Sequence, residues 1–350
     1  MDSDSEGEPE VGAPALAGCA HFRKAIRAMP GKQPCRGEPD MKIAIQRKSL
    51  KISAAMIVVM LAACSPAPPP ATRTEPAAPA KPALTEGFGA AWAMDPMWDD
   101  GQAEVALYEA KRPQYGKIES YESVFIVVKE DFNPQLYVKA DAPYDGKRLL
   151  PVLKLNAVHS YWTDRYPYHY LLSVFVRRED PASLVKLALG SQEWCGATFK
   201  MVKTWGGRPE LLYHTYWDGE GDAARPLDLR PGDLLEDQLP LALRGLKFAP
   251  GLELRRRILP SLISNNLHGY GGFTDATLHV AGEEEIRTPA GRFAAWKLEV
   301  KFGEVQQTWW FEKAETHILL RMDSSDGRTW LLKSRTRKPY WTEPTFRPAM

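Results

Sequence analysis

From about residue 100 to residue 335, apolar and polar side chains alternate in short runs, the two-residue period of β-strands. Residues 104–109 alternate, residues 123–128 form a continuous apolar run, and residues 135–139 form a short one. Residues 150–158 alternate again, with Lys154 and Asn156 opposite Leu153 and Leu155. Residues 168–176, 184–189, 191–199 and 210–217 continue the series with aromatic and β-branched side chains. Turn dipeptides separate the runs: Asp145-Gly146, Asp180-Pro181, Gly206-Gly207, Asp218-Gly219 and Gly221-Asp222.

The middle breaks the rhythm. Residues 231–245 read as a short helix, with Asp233 as N-cap, an apolar face of Leu234, Leu235, Leu239 and Leu243, and a kink or break at Pro240. Residues 252–263 fit neither period cleanly, and 265–272 read as a Gly/Asn-rich loop. Strand patterns return at 276–280, 284–288, 292–300, 305–312, 318–322 and 329–333, where Asp326-Gly327 between two runs is a strong hairpin signal. About a dozen strands and almost no helix predict a mainly β (β-rich α+β) fold: a strongly curved antiparallel sheet or incomplete β-barrel with one or two short helices. Phe293, Trp296, Leu298 and Val300 do not share one face, so both faces of their strand are expected to be partly covered.

Upstream the pattern changes class. Lys42, Arg47, Lys48 and Lys51 precede an apolar run over residues 52–61 that ends in Leu61-Ala62-Ala63-Cys64. A positive segment, a short apolar run and small residues at a cut site make a secretory signal, and the run is too short to span a bilayer, which takes about 20 apolar residues. Its end resembles a lipobox, which implies that the Cys64 thiol receives diacylglycerol, that cleavage precedes it, and that the new N-terminus is acylated with a palmitate-type chain. Ser65 at the next position implies, by resemblance to Gram-negative lipoproteins, transfer to the outer membrane facing the periplasm.

The expected organisation follows. Residues 1–40 are a disordered segment from an over-extended start, with translation beginning at Met41. Residues 41–63 are the signal peptide, and 64–87 are the lipidated Cys and a Pro/Ala linker. Residues 88–341 are a single β-rich periplasmic domain, and 342–350 a disordered tail.

Composition adds exclusions. A formal net charge of +1 gives no reason to expect nucleic acid. Of four Cys, Cys19 and Cys35 precede the signal and Cys64 is the lipidation site, which leaves Cys195 without a disulfide partner. The histidines show no metal-ligand spacing, so neither a metal nor a cofactor is expected.

Candidate chemistry is sparse. Glu193, Trp194 and Cys195 form the most suggestive cluster, since a thiol beside an acid with a base such as His169 or His214 nearby in space is a nucleophile arrangement. A catalytic thiol needs a cationic neighbour or a helix N-terminus, and the strand-like setting favours a buried structural Cys195 instead. The aromatic stretch 161–170 suits sugar or acyl stacking, with core or rim packing as the simpler reading. Arg255, Arg256 and Arg257 read as a solvated face.

Thr288-Pro-Ala-Gly-Arg-Phe293, Thr308-Trp-Trp-Phe-Glu312 and Ser324-Ser-Asp-Gly-Arg328 resemble the C-terminal signature of a family of bacterial envelope proteins of unknown function, similar to Lol-type lipoprotein carriers and periplasmic β-shells. Residues 121–130 and 191–196 resemble secreted bacterial proteins that carry the label septum formation inhibitor Maf. The Maf pyrophosphatases have an α/β fold and an N-terminal Ser-x-Arg-Arg-type motif, and this chain shows neither. The resemblance, over 92–341, implies a β-shell. The expected function is non-catalytic binding or carriage of a hydrophobic or envelope-derived ligand in the concavity of the sheet. An envelope enzyme using Cys195 or Glu193, and a scaffold contacting another envelope protein, are the alternatives.

Overall fold

The computed structural model describes residues 84–204, 208–267 and 270–342. The signal peptide, Cys64, the linker, Gly206-Gly207, His268 and most of the C-terminal tail lie outside the described residues.

The strands in chain order are β1 (Ala103–Gln114), β2 (Lys117–Asn133), β3 (Val138–Lys139), β4 (Leu150–Trp162), β5 (Pro167–Arg177), β6 (Asp180–Glu193), β7 (Gly196–Lys203), β8 (Glu210–His214) and β9 (Asp222–Pro226). After a central segment come β10 (Leu234–Leu235), β11 (Glu253–Leu259), β12 (Thr274–Thr288), β13 (Gly291–Phe302), β14 (Val305–Glu312), β15 (Leu319–Ser324) and β16 (Thr329–Lys338). They form one sheet that runs from β10 through β16, crosses to β1 and β2, and continues through β4 to β9, with β3 beside β2. Every pairing except β10 with β11 is antiparallel. The first and last long strands are therefore neighbours, from Ala103 opposite Lys338 to Lys111 opposite Thr329. The sheet does not close into a barrel, in agreement with the expected fold class.

Several strands are longer than their apolar runs, because a ladder extends through any residue whose backbone finds a partner. The patterns at 276–280 and 284–288 belong to the single strand β12, which shifts register at Gly282. Gly282 takes a φ of +139°, a conformation that favours glycine. The chain's periodicity misses β9, whose residues are all exposed, since a strand with neither face buried carries no alternation.

The predicted helix at 231–245 becomes three short turns: a 3-10 turn at Glu236–Gln238, the helix α2 (Leu239–Ala242) and a 3-10 turn at Leu243–Gly245. Pro240 sits in the first turn of α2, where its missing N–H costs no hydrogen bond, so it starts the helix rather than kinking it. Asp233 does not cap it. Its carboxylate accepts from the Arg230 backbone N–H and pairs with Arg257. Thus Arg257 is tied to Asp228 and Asp233 rather than freely solvated.

This segment has every residue from Leu234 to Leu246 buried. Its leucines join the aromatic N-terminal stretch, helix α1 (Ala91–Met94) with Trp92 and the following 3-10 turn with Trp98, in one apolar cluster with the inward residues of almost every strand. The concave face of the sheet is therefore occupied by the chain itself. One buried ion pair fastens this filling: Arg244, 2% exposed, donates to both Glu104 carboxylate oxygens at 2.7 and 3.0 Å. Its guanidinium lies over the Trp92 ring at 4.4 Å and the Trp98 ring at 5.6 Å.

Candidate functional site

Strand register fixes what faces inward across β2, β4, β5, β6 and β7. One row is fully apolar: Val127, Leu155, Val174, Leu187 and Val202. The next is Phe125, Ala157, Leu172, Leu189 and Lys200. The next is polar: Ser123, His159, Tyr170, Ser191 and Thr198, all buried. The last carries Tyr161, Tyr168 and Glu193, with Tyr121 5.1 Å from Tyr161. Moving toward this end of the strands, the concave face changes from core to a polar, tyrosine-lined basin.

The tyrosines form a stack. Tyr161 and Tyr168 lie 5.5 Å apart at an interplanar angle of 11°, and Tyr168 and Tyr170 lie 5.9 Å apart at 18°. Arg112, from the end of β1, places its guanidinium over Tyr170 at 4.9 Å and Tyr161 at 5.6 Å. Burial drives the phenols of Tyr161, Tyr168 and Tyr170 upward, so they stay protonated donors. Burial, reinforced by Arg112 and Arg328, pushes His159 down to about 3, so its ring is neutral at physiological pH. Its Nδ1 bonds Ser123 Oγ at 2.9 Å.

A strap over residues 260–267 roofs the basin. Lys200 Nζ donates to the carbonyls of Leu262, Ser264 and Asn266 at 2.8, 3.1 and 2.5 Å and to Ser264 Oγ at 2.7 Å. Asp237 accepts from Ser261 Oγ at 2.6 Å and the Leu262 N–H at 2.7 Å, and Glu236 from the Ser261 N–H at 2.8 Å. Asn265 donates from Nδ2 to Glu193 at 2.7 Å, and its carbonyl accepts from Thr198 Oγ1 at 2.6 Å and Trp217 Nε1 at 2.7 Å. Burial lowers Lys200 to about 8 and, with Glu236 adding repulsion, raises Asp237 to about 6. The cavity between Lys200 and the strap measures about 50 Å³, room for water only.

Beneath this roof, Arg112 Nε, His159 Nε2, Ser191 Oγ and Glu193 Oε2 are buried without a hydrogen-bond partner among the described residues. Each such atom costs about 1–3 kcal/mol if it stays dry. Their concentration at one end of the sheet marks this region as polar by function or by hydration rather than as core.

The candidates from the sequence are divided by the fold. Glu193 points into the basin. Trp194, 72% exposed, and Cys195 occupy the β6–β7 turn at its lip. Cys195 is exposed, which corrects the expectation of a buried structural thiol: a two-residue hairpin turn puts it outside the ladder. Its neighbours are the Tyr166 and Tyr216 hydroxyls. The bond with Cys195 is the first cause raising Tyr166, whereas desolvation leads at Tyr216, which is pushed up to about 12. His169 lies on the opposite face, bonded to Ser160 Oγ at 2.7 Å, and His214 is exposed beside Asp222 at 3.4 Å. Neither histidine bonds Cys195 or Glu193, so the nucleophile–base contact is not formed. Among the described residues, no group of three or more His, Cys, Asp or Glu is placed to hold a metal ion.

Arg112, Ser191, Lys200 and the strap are site residues that the sequence does not single out. Ser191 and Lys200 carry a legible signal, since polar residues at inward positions of apolar strands conflict with a simple core. Aromatic residues crown the same end of the sheet. Tyr115, Trp162, Trp194 and Tyr216 are all exposed and sit at the β1–β2, β4–β5, β6–β7 and β8–β9 turns. Trp162 and Trp194 meet edge to face at 5.8 Å.

No family model and no curated protein matches this chain. Among solved structures, it is similar to a Bacteroides fragilis protein of YmcC-like fold, at 11% identity over 67% of this chain and 94% of that one, with a TM-score of 0.18. An overlap this low carries no argument about fold or function.

Proposed function

We propose that this is an exported lipoprotein, anchored by Cys64 in the outer membrane, that binds an envelope-derived ligand without transforming it. The basin and its aromatic rim are the binding end. The observation that carries this reading is the set of four buried, unpartnered polar atoms beside a tyrosine stack, at the end of a concave face whose apolar part is already filled by residues 234–246. Because residues 234–246 occupy the apolar part of this concave face, the ligand at the basin end fits a polar molecule with a face that stacks on aromatic rings. The proposal of export and anchoring rests on residues 41–64, and the resemblance to Lol-type envelope proteins on the turn motifs of the last third.

Two measurements test this. Metabolic labelling with radioactive palmitate should mark the full-length protein and not the Cys64→Ala variant; label retained by the variant refutes the anchor. Native purification followed by mass spectrometry should recover a small envelope-derived molecule in near-stoichiometric amount, depleted in Trp162→Ala/Trp194→Ala protein. An empty wild-type preparation, or equal occupancy in the variant, refutes the basin-and-rim site.

A further inference from the structure

The opposite end of the sheet holds a cavity of a different chemistry. It measures about 610 Å³ and lies between Gly89–Trp92, the chain from Arg244 to Ala249, Trp296 on β13, and Lys313 and His317 in the β14–β15 turn. Its size is in the range that accepts a small organic ligand. β1 separates the two ends: Glu104, bonded to Arg244, starts it, and Arg112 of the basin lies about 26 Å further along at strand rise.

The cavity combines aromatic walls with basic side chains, one of which, Lys247, has no carboxylate partner among the described residues. Phe248 and Trp296 stack at 5.6 Å and 7°, and His317 lies 5.1 Å from Phe248. The lining holds Arg244, Lys247 and Lys313 and no carboxylate. Arg244 and Lys313 have partners behind the wall, Glu104 and Glu283. Lys247 is exposed, extends past Gly89, and pairs with no carboxylate among the described residues. A second observation points to a ligand. Trp92, only 4% exposed, lines the cavity, and its Nε1–H is buried with no acceptor, whereas the neighbouring Trp98 Nε1–H is satisfied by the Trp92 carbonyl at 2.8 Å.

We propose that this cavity binds an anionic headgroup carried on an apolar body, a carboxylate or phosphate with a hydrocarbon tail. The anion accepts from Trp92 Nε1–H and pairs with Lys247, while the tail lies against Phe248 and Trp296. This site is independent of the basin and does not rest on the function proposed for it.

The test is isothermal titration of the full-length protein with octyl phosphate below its micellar concentration, beside octanoate, octyl glucoside and inorganic phosphate. Octyl phosphate or octanoate should bind 1:1 and at least about tenfold tighter than octyl glucoside or inorganic phosphate, and Trp92→Phe and Lys247→Glu should each weaken it by about tenfold, the scale of one charge-assisted hydrogen bond. Equal affinity for octyl glucoside, equal affinity for phosphate alone, no binding of either octyl anion, or binding unchanged in both variants overturns the proposal. Lys247 is exposed and its substitution leaves the fold intact, so that variant decides the matter if Trp92→Phe fails to fold.

Discussion

Arg244→Ala is expected to be among the most damaging single substitutions in the domain. The substitution removes the guanidinium paired with the buried Glu104 carboxylate, and both members of the pair are less than a tenth exposed. Breaking one side of such a pair costs about 3–5 kcal/mol, because the remaining charge stays buried without compensation. The Thr316 carbonyl also loses its two donors from Arg244, at 2.8 and 2.6 Å, and the two indoles lose the guanidinium that fills the space between them. These losses overlap, so about 4 kcal/mol is a fair total. In a domain of this size each kcal/mol moves Tm by about 2–4 °C, which gives a fall of about 8–16 °C. Urea unfolding followed by tryptophan fluorescence, with a calorimetric scan, measures it. The same reasoning says that Glu104→Leu/Arg244→Met, which removes both charges and keeps the volume, should be at least about 2 kcal/mol more stable than Arg244→Ala. A loss below about 1 kcal/mol for Arg244→Ala, or a double variant no better than the single one, refutes the argument.

The strap should respond to pH in two windows. Lys200 is held at about 8, below its unfolded value, so the folded state releases its proton first and stability rises as pH climbs from 8 toward 10.5; Lys200→Met should lose that rise in pH-resolved melts. Asp237 is raised to about 6, so its contribution is full below about 3.8 and is lost as pH rises through 6, and Asp237→Asn should flatten stability across that interval. Gly245→Ala should cost about 1–3 kcal/mol, since a Cβ there would sit 2.8 Å from the Gly89 carbonyl oxygen, while Gly190→Ala, with nothing within 4 Å, should be tolerated in the same denaturation assay. Cys195 should react with a thiol reagent in the native protein, and Cys195→Ala should change stability by less than about 0.5 kcal/mol; protection until unfolding refutes its exposed placement.

The strands were largely legible because alternation records burial of one face. β14 spans the same residues, 305–312, as its sequence pattern, and the Asp326-Gly327 hairpin joins β15 to β16 as its dipeptide implies. The local pattern misleads where the physical cause is not local. β9 is exposed on both faces and so has no period. Residues 231–245 look like one helix because their leucines are spaced for burial, yet from Leu234 onward every residue is buried, which removes the amphipathic stripe that identifies a surface helix. Trp194 and Cys195 have the composition of strand residues, while the turn at that point is set by the register of β6 against β7.

The candidate site divides the same way. Glu193 stands out in the sequence as the acid beside the Cys195 thiol, but its partner in the fold, Asn265, lies 72 residues away. Arg112, Ser191 and Lys200 belong to three strands, and only the ladder brings them to one end of one face.

The sequence by itself determined the fold class, the turn positions and the apolar surplus that the sheet must bury, since these follow from local periodicity and residue type. It also supplied the motif from which export is proposed. Tertiary structure alone decided that the concavity is filled by residues 234–246, that polar atoms gather under the 260–267 strap, and that an aromatic, cationic cavity opens at the opposite end. Those outcomes depend on which strands pair and in what register, and a pairing between residues more than a hundred positions apart, such as Glu104 with Arg244, leaves no mark on the local pattern of either segment.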